Sequence, residues 1–469
     1  MSPTPSVRPG VQKYIDAAQK LLAQRRAALA RMKAMKFDTI AVHGLYTAEE
    51  ALGRNQGAMM EPLYLATAEA YHDADELEAA LAYLVPAWVY TRIANPTTSY
   101  LEGVLALLEG YQTGADTSCL VTASGMAAIV SAVDPLLVKQ KDGPERINFV
   151  TSIQLYGGTY QHFSIRKQRE RGIDVRWVLR PNDMQEWKSK IDEDTRFLYM
   201  EMPSNPQQSF CDVKALADLA HSFGIPVIVD ATCATPALMR PIAHGTDIVV
   251  HSLTKSITAS GLAIGGALIS RCPIVTKVKN DDPHFKTSFA DYVKLWPYRD
   301  AGPSPSPVNA MFALNDLRTL RSRMDLVSSN CQTVAEFLQK HPKVYQVDFL
   351  GLPGYPLHAV AKKYMRLVDS DDGKGSEVNR YGHLMSFRVD GPPENARQAF
   401  DGFKLIHRAT DLGRIKSVAT IPAISTHQQQ GEEARRMADI PPQLIRLCVG
   451  AEHPDDIIAD LDQALKSVR

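Results

Sequence analysis

The chain runs to 469 residues, too many for one small core and enough for two or three domains. Hydrophobic residues supply 45% and charged residues 22%, and 52 Lys+Arg balance 52 Asp+Glu, which suits a globular protein and gives no electrostatic reason to expect nucleic acid. No apolar run reaches the length of a membrane span, and Met1-Ser-Pro-Thr-Pro-Ser6 lacks the apolar stretch of a secretory signal, so a cytoplasmic location without a membrane partner is expected. The six cysteines, Cys119, Cys211, Cys233, Cys272, Cys331 and Cys448, include no C-x-x-C, and several lie in apolar runs, as reduced, buried thiols would. The sequence carries no H-E-x-x-H, P-loop or G-x-G-x-x-G signature, and no metal site is expected.

In chain order, residues 11–36 place Lys13, Lys20, Arg25, Arg26, Arg31, Lys33 and Lys36 among Leu, Ala and Met, the pattern of a basic amphipathic helix. This helix is either an arm packed on a neighbouring subunit or, since acidic residues are nearly absent, a transit or membrane-surface helix. The Gly- and Met-containing segment leading to Glu61-Pro-Leu-Tyr64 is expected to be an extended arm. Pro96 marks the boundary of a helix predicted over Thr98 to Glu109. Ahead of it, Tyr90 and Arg92 either hold a phosphate together, by a phenol hydrogen bond and a bidentate guanidinium, or are surface residues before a helix cap.

From Ser118 onward strands alternate with helices. Strands are predicted over 118–123, 147–151, 175–179, 197–202, 227–230, 248–251 and 266–269, which argues for an α/β fold with a mainly parallel sheet between helices. Ser124-Gly125-Met126 joins the first strand to a helix, either as a cradle of free N–H groups for a phosphate or as a plain turn. Tyr156, before Gly157-Gly158, either stacks on a flat cofactor or belongs to the core. Asn205, in the rigid turn Pro203-Ser-Asn205-Pro, offers an amide to a cofactor oxygen.

Two apolar runs end in reactive groups. Pro226-Val-Ile-Val-Asp230-Ala-Thr232 ends in a carboxylate, and Val249-Val-His-Ser252-Leu-Thr254-Lys255 ends in two hydroxyls and a lysine. Both would lie at the carboxyl ends of buried parallel strands, where open α/β sheets bind ligands. A lysine able to form a Schiff base, an aspartate able to pair with a pyridinium nitrogen and hydroxyls for a phosphate are the parts a pyridoxal phosphate site needs.

Ala301-Gly-Pro-Ser-Pro-Ser-Pro307 is a compositional break. Beyond it, one long helical pattern from Asn309 to Leu338 leads into a smaller α+β region with strands at 383–389 and 445–449. Arg446 lies in an otherwise apolar strand and needs an anion, either a substrate carboxylate or an internal salt-bridge partner. The expected division is an arm and helix contacting a neighbouring subunit at 1–95, a cofactor-binding domain at 96–305 and an α+β domain at 306–469.

Tyr90-Thr-Arg92-Ile-Ala-Asn-Pro-Thr97, Ser124-Gly-Met126, Tyr156-Gly-Gly, Pro203-Ser-Asn205-Pro, Asp230-Ala-Thr232 and Ser252-Leu-Thr254-Lys255 together resemble the pyridoxal phosphate (PLP) enzymes of cysteine and methionine metabolism, from about Phe37 to the C-terminus. The resemblance implies fold type I of the PLP-dependent transferases, the aspartate aminotransferase-like arrangement. It implies that Lys255 carries the cofactor as a Schiff base, that Asp230 pairs with the ring nitrogen and that Tyr156 stacks on the ring, these three forming the catalytic set. Ser124, Gly125, Met126, Ser252 and Thr254 would hold the phosphate, with Asn205 and Thr232 also at the cofactor, and Arg446 would bind the substrate carboxylate. Tyr90 and Arg92 would reach the phosphate of the adjacent subunit, which implies active sites shared across a dimer and a homotetramer built as a dimer of dimers.

Within that family, Tyr156-Gly-Gly-Thr-Tyr160, Ser306-Pro-Val-Asn-Ala310 and Pro422-Ala-Ile-Ser-Thr-His427-Gln-Gln429 look most like the sulfhydrylases. The expected reaction is γ-substitution on O-acetylhomoserine by sulfide or a small thiol, giving homocysteine or methionine. Three positions depart from the family pattern. Ser256-Ile-Thr-Ala-Ser-Gly261 stands where an aromatic residue followed by Gly-His or Gly-Gly is usual, Cys233 where an aromatic is common, and Asp411 where Ser or Asn is common. At about 4 Å from a substrate carboxylate, the added charge of Asp411 costs on the order of 1–4 kcal/mol. Asp411 is therefore expected either to pair with Arg446 or to select a substrate with a distal amine or other donor. These departures keep γ-elimination, or γ-replacement by a carbon or nitrogen nucleophile, as the alternative; a non-catalytic α/β ligand-binding protein is the contrasting class.

Overall fold

Seven strands form the larger of two sheets in the computed structural model, which describes residues 7–139 and 146–468. Met1 to Ser6, the stretch read above for a secretory signal, lies outside the described residues. The strands are β1 (Asp116–Thr122), β2 (Asn148–Ser152), β3 (Asp174–Val178), β4 (Thr195–Glu201), β5 (Val227–Asp230), β6 (Ile248–His251) and β7 (Gly266–Cys272), in the order β1-β7-β6-β5-β4-β2-β3. Neighbours from β6 to β3 pair in parallel, and β7 runs antiparallel between β6 and β1. All seven predicted strands are present. Every residue of β4, β5 and β6 is buried, which is why these strands read as unbroken apolar runs instead of alternating ones.

Helices cover the sheet and build the N-terminal region. The basic helix is α1 (Pro9–Lys33), which buries Val11, Ala18 and Met32. It is followed by α2 (Phe37–His43), α3 (Ala48–Arg54) and α4 (Ala74–Leu81), the last packed against α1. The finding of α3 corrects the expected extended arm. Thr47 Oγ1 accepts from the Glu50 N–H at 3.1 Å, and two acids in the first turn favour the same helix start. Among the described residues no helix is long and apolar enough to cross a membrane. Next, α5 (Pro96–Glu109) is capped by Asn95 and packs on β1, and α6 (Gly125–Val133) is capped by Ser124, whose Oγ accepts from the Ala127 N–H at 3.2 Å.

The second sheet has five strands, β8 (Val344–Asp348), β9 (Leu384–Val389), β10 (His407–Arg408), β11 (Val418–Thr420) and β12 (Leu444–Cys448), in the order β10-β11-β12-β9-β8. The single helix predicted before it is two, Pro307–Leu317 and Leu320–Lys340. No Gly or Pro marks the break. It is held by tertiary contacts, with the Arg323 guanidinium donating to the Asp316 carbonyl at 2.7 Å and to the Ser256 carbonyl at 2.8 Å. The C-terminal region closes over the carboxyl ends of the large sheet. Gln161 Nε2 donates to the Gln429 carbonyl at 2.6 Å, and His427 Nε2 meets the Leu155 carbonyl at 3.2 Å.

One glycine links sheet packing to the turn before α6. A Cβ at Gly266, the first residue of β7, would lie 2.2 Å from the Ser124 carbonyl oxygen and 2.5 Å from its carbon. Both are backbone atoms, so no side chain can swing aside. Gly266→Ala is expected to destabilise the protein by about 1–3 kcal/mol through overpacking. Denaturant unfolding monitored by circular dichroism measures this; an unmoved midpoint would show that the turn yields without cost.

Candidate active site

A cavity of about 330 Å³ opens at the carboxyl ends of β4, β5 and β6, as expected for a parallel α/β sheet. Its floor carries Asp230, the last residue of β5, which is 7% exposed. Asp230 Oδ1 accepts from the Thr232 N–H at 3.0 Å, and Thr232 Oγ1 accepts from the Ser252 N–H at 2.8 Å, so the turns after β5 and β6 brace each other. Burial raises the Asp230 pKa above the usual carboxylate range. An ionised Asp230 therefore gains from any cation brought beside it.

Beyond β6, Lys255 projects its amine into the same cavity, 2.7 Å from Asp411 Oδ1. Ser124, Gly125, Met126, Ser252 and Thr254 line the cavity together. A Cβ at Gly125 would lie 2.6 Å from Ser252 Cβ, so the glycine is what lets the start of α6 meet the turn after β6. The Thr254 hydroxyl is held by Gly265, donating to its carbonyl at 3.1 Å and accepting from its N–H at 3.0 Å. Tyr156, 39% exposed, stands on the cavity wall just before the short helix Gly157–Gln161.

Arg446, in the middle of β12, is fully buried and also lines the cavity. Nη1 donates to Asn205 Oδ1 at 3.1 Å, and Nη2 donates to the backbone carbonyls of Thr410 at 3.1 Å and Asp411 at 2.7 Å. These partners are neutral, and Nε is buried without a partner. Among the described residues Arg446 forms no salt bridge, so the internal salt-bridge alternative does not describe this chain. Burial lowers its pKa, which marks the cost of holding the charge there.

Asp411 does not pair its carboxylate with Arg446, contrary to one expectation. Oδ1 faces Lys255, and Oδ2 accepts from Arg414 Nε at 2.5 Å. Arg414 is itself anchored on the carbonyls of Thr254 at 2.7 Å and Thr258 at 3.0 Å. Burial opposes the charge of Asp411, but Lys255 and Arg414 outweigh it and hold its pKa below the usual value. Arg414 carries no local sequence signal that could have singled it out. Glu201, also passed over, carried the same signal as Asp230, a carboxylate ending an apolar strand; it lines the cavity and sits opposite Asp230 in the β4–β5 register. Cys233 lines the wall as a neutral thiol, its pKa pushed well up by burial and by Glu201 and Asp230.

Tyr90 and Arg92 lie outside this cavity. Tyr90 is 45% exposed and borders a different pocket, with the Arg92 guanidinium 5.6 Å from its ring centre. Arg92 Nη1 donates to the Arg299 carbonyl. Lys255 and Arg446 are the only cationic residues lining the cavity among the described residues.

The sequence profile of the family described as Cys/Met metabolism PLP-dependent enzyme matches residues 38–466, and the chain belongs to that family. It is 34% identical over 459 residues to the O-acetyl-L-homoserine sulfhydrylase of Leptospira meyeri, covering 92% of this chain and 97% of that one. It is 33% identical over 434 residues to the L-methionine gamma-lyase of Porphyromonas gingivalis, again covering 92% and 97%. Among solved structures, a Campylobacter jejuni protein assigned as an O-acetylhomoserine (thiol)-lyase and carrying N'-pyridoxyl-lysine-5'-monophosphate superposes with a TM-score of 0.81. That match is 32% identical and covers 92% of this chain and all of the other. The fold is that of the type I PLP enzymes, and the cofactor is PLP. The cavity suits it, combining an amine, a buried carboxylate for a ring cation, a helix N-terminus whose Gly125 carries no side chain and a guanidinium with an unpartnered N–H.

Asp230→Asn separates stability from activity. The amide oxygen can still accept from Thr232, while the charge that burial penalises is gone. The thermal midpoint is expected to hold or rise, and turnover to fall on the order of a hundredfold or more. Unchanged kinetics in the folded variant would remove Asp230 from the chemistry.

Proposed function

We propose that the protein catalyses γ-substitution on an activated homoserine, taking O-acetylhomoserine with sulfide or a small thiol to give homocysteine or methionine. The observation that carries this is the buried Arg446, whose unpartnered Nε and lack of a carboxylate partner suit an amino acid's carboxylate, in the cavity that also holds Lys255 and Asp230. The relatives support the coarser class, PLP-dependent substitution or elimination at the γ-carbon. Bound here, PLP supplies an aldehyde for the substrate's amino group and an electron-poor ring that accepts charge released at its α-carbon.

The chain's own residues divide the remaining work. Arg446 and Asn205 fix the α-carboxylate, and so orient the α-proton toward the Lys255 amine. Lys255 is the base for that proton and carries protons between the α- and β-carbons. Asp411 and Arg414 hold the amine in place when it is free. Asp230 favours the protonated ring nitrogen, Tyr156 covers the ring face, and Ser124, Gly125, Met126 and Ser252 donate to the phosphate, with Thr254 beside them free to join only by turning its hydroxyl from the Gly265 carbonyl and Thr232 bracing Asp230 and Ser252. Since Lys255 and Arg446 are the only cationic residues lining the cavity among the described residues, Tyr90 and Arg92 serve the phosphate of a neighbouring subunit in a dimer, paired again into a tetramer.

The second reading, γ-elimination, is favoured by the methionine gamma-lyase relative. Incubation with O-acetylhomoserine, with and without sulfide, separates the two. Homocysteine formed only with sulfide is expected; a 2-oxo acid and ammonia released at the same rate without sulfide would establish elimination instead.

Sharing of the site is tested by mixing subunits. Arg92→Ala and Lys255→Ala proteins are each expected to be nearly inactive, and their hybrids to recover up to about a quarter of wild-type activity, since a mixed dimer contains one intact site. Hybrids that form but stay inactive would refute it.

A further inference from the structure

Glu201 has no part in the steps above, yet its surroundings are unusual for a bystander. It ends β4, is 3% exposed and lies opposite Asp230 in register, so two carboxylates share one buried region. Burial and the charge of Asp230 both push its pKa well up. A buried charge in that position is unfavourable unless it meets strong donors. It meets two. Oε2 accepts from the Tyr156 N–H at 2.6 Å, and Oε1 accepts from the Asn205 N–H at 2.7 Å.

Those two residues lead in different directions. Tyr156 brings its ring to the cavity wall, and the Asn205 side chain accepts from Arg446 Nη1 at 3.1 Å. One side chain thus ties the backbone beneath the aromatic ring to the backbone beneath the amide that steadies the guanidinium. Two backbone N–H bonds to the two oxygens of one buried carboxyl group are short and directional, which suits them to setting position.

We propose that Glu201 is a positioning residue, which through its two backbone bonds sets the Tyr156 ring against PLP and, jointly, Asn205 and Arg446 against the amino-acid carboxylate. The proposal rests on the reading of the cavity as a PLP and amino-acid site, but not on which γ-reaction follows. Two binding measurements test it. The first is the affinity of the cofactor-free protein for PLP, followed by intrinsic fluorescence. The second is the affinity of the PLP-loaded protein for glycine, followed by cofactor absorbance; glycine has a carboxylate and an amine but no γ-carbon.

Glu201→Gln keeps the shape but turns an NH₂ group toward one of the two N–H donors, so one bond is lost. Both affinities are expected to fall at least fivefold, with native circular dichroism, and Glu201→Asp is expected to recover part of each loss. Affinities within twofold of wild type for the folded Gln variant, or loss of only one of the two, would overturn the joint role. If the Gln variant does not fold, the Asp variant is held to the same comparison; twofold or smaller changes there overturn it as well. A wild-type protein that binds neither PLP nor glycine would instead overturn the reading of the cavity beneath it.

Discussion

Two carboxylates, Glu201 and Asp230, end neighbouring strands side by side out of water, and the rest of the site is arranged around that constraint. Like charges in a buried place raise each other's pKa, and each needs donors or a cation to stay ionised. Glu201 takes backbone N–H groups from two loops. Asp230 takes the Thr232 N–H and is left facing the cavity. The floor of the cavity is thus electron-rich, and a protonated ring nitrogen is its natural complement. The fully buried Arg446 is the opposite pole, held by neutral oxygens alone. A ligand with a cation at one end and a carboxylate at the other satisfies both poles, as PLP and an amino acid do together.

What was legible in the sequence follows from burial. Parallel strands covered on both faces tolerate only apolar residues, so a charge inside or just after such a run stands out. Lys255 and Asp230 were visible for that reason, and Arg446 because β12, although antiparallel to both neighbours, is buried along its whole length. The strands of the large sheet were visible too, because their apolar runs are bounded by turns. The antiparallel placing of β7 could not be read, since its own run looks like the others and its direction is set by pairing with both β6 and β1, the latter more than a hundred residues away.

The parts that stayed hidden depend on long-range partners. Nothing near Glu201 in sequence says that one of its acceptors will serve Tyr156, 45 residues upstream, while the other serves Asn205 in the turn just after it. The helix break before Leu320 contains no Gly or Pro and is set by Arg323 reaching carbonyls in two other segments. By contrast, the start of α3 is written locally in Thr47-Ala-Glu-Glu50, amid Gly and Met residues whose composition suits an extended arm. Polar satisfaction, unlike periodicity, is a property of the folded chain.

The two departures from the family pattern near the lysine turn out to be one structural unit. The loop following Lys255 presents the Thr258 carbonyl, which together with that of Thr254 holds Arg414. Arg414 in turn holds Asp411, and Asp411 holds the Lys255 amine. A carboxylate already shared between two cations has little charge left to recruit an amine on a substrate, so the added acid is not by itself a reason to expect an unusual nucleophile. Its charge is also offset by Lys255 and Arg414, which lessens the repulsion that a lone Asp411 would impose on an anion brought to Arg446. What the unit changes is the resting position of the lysine. Through Asp411, Arg414 and the carbonyls of Thr254 and Thr258 fix where the Lys255 amine stands in the cavity, so a change at either the loop or the acid moves the same group.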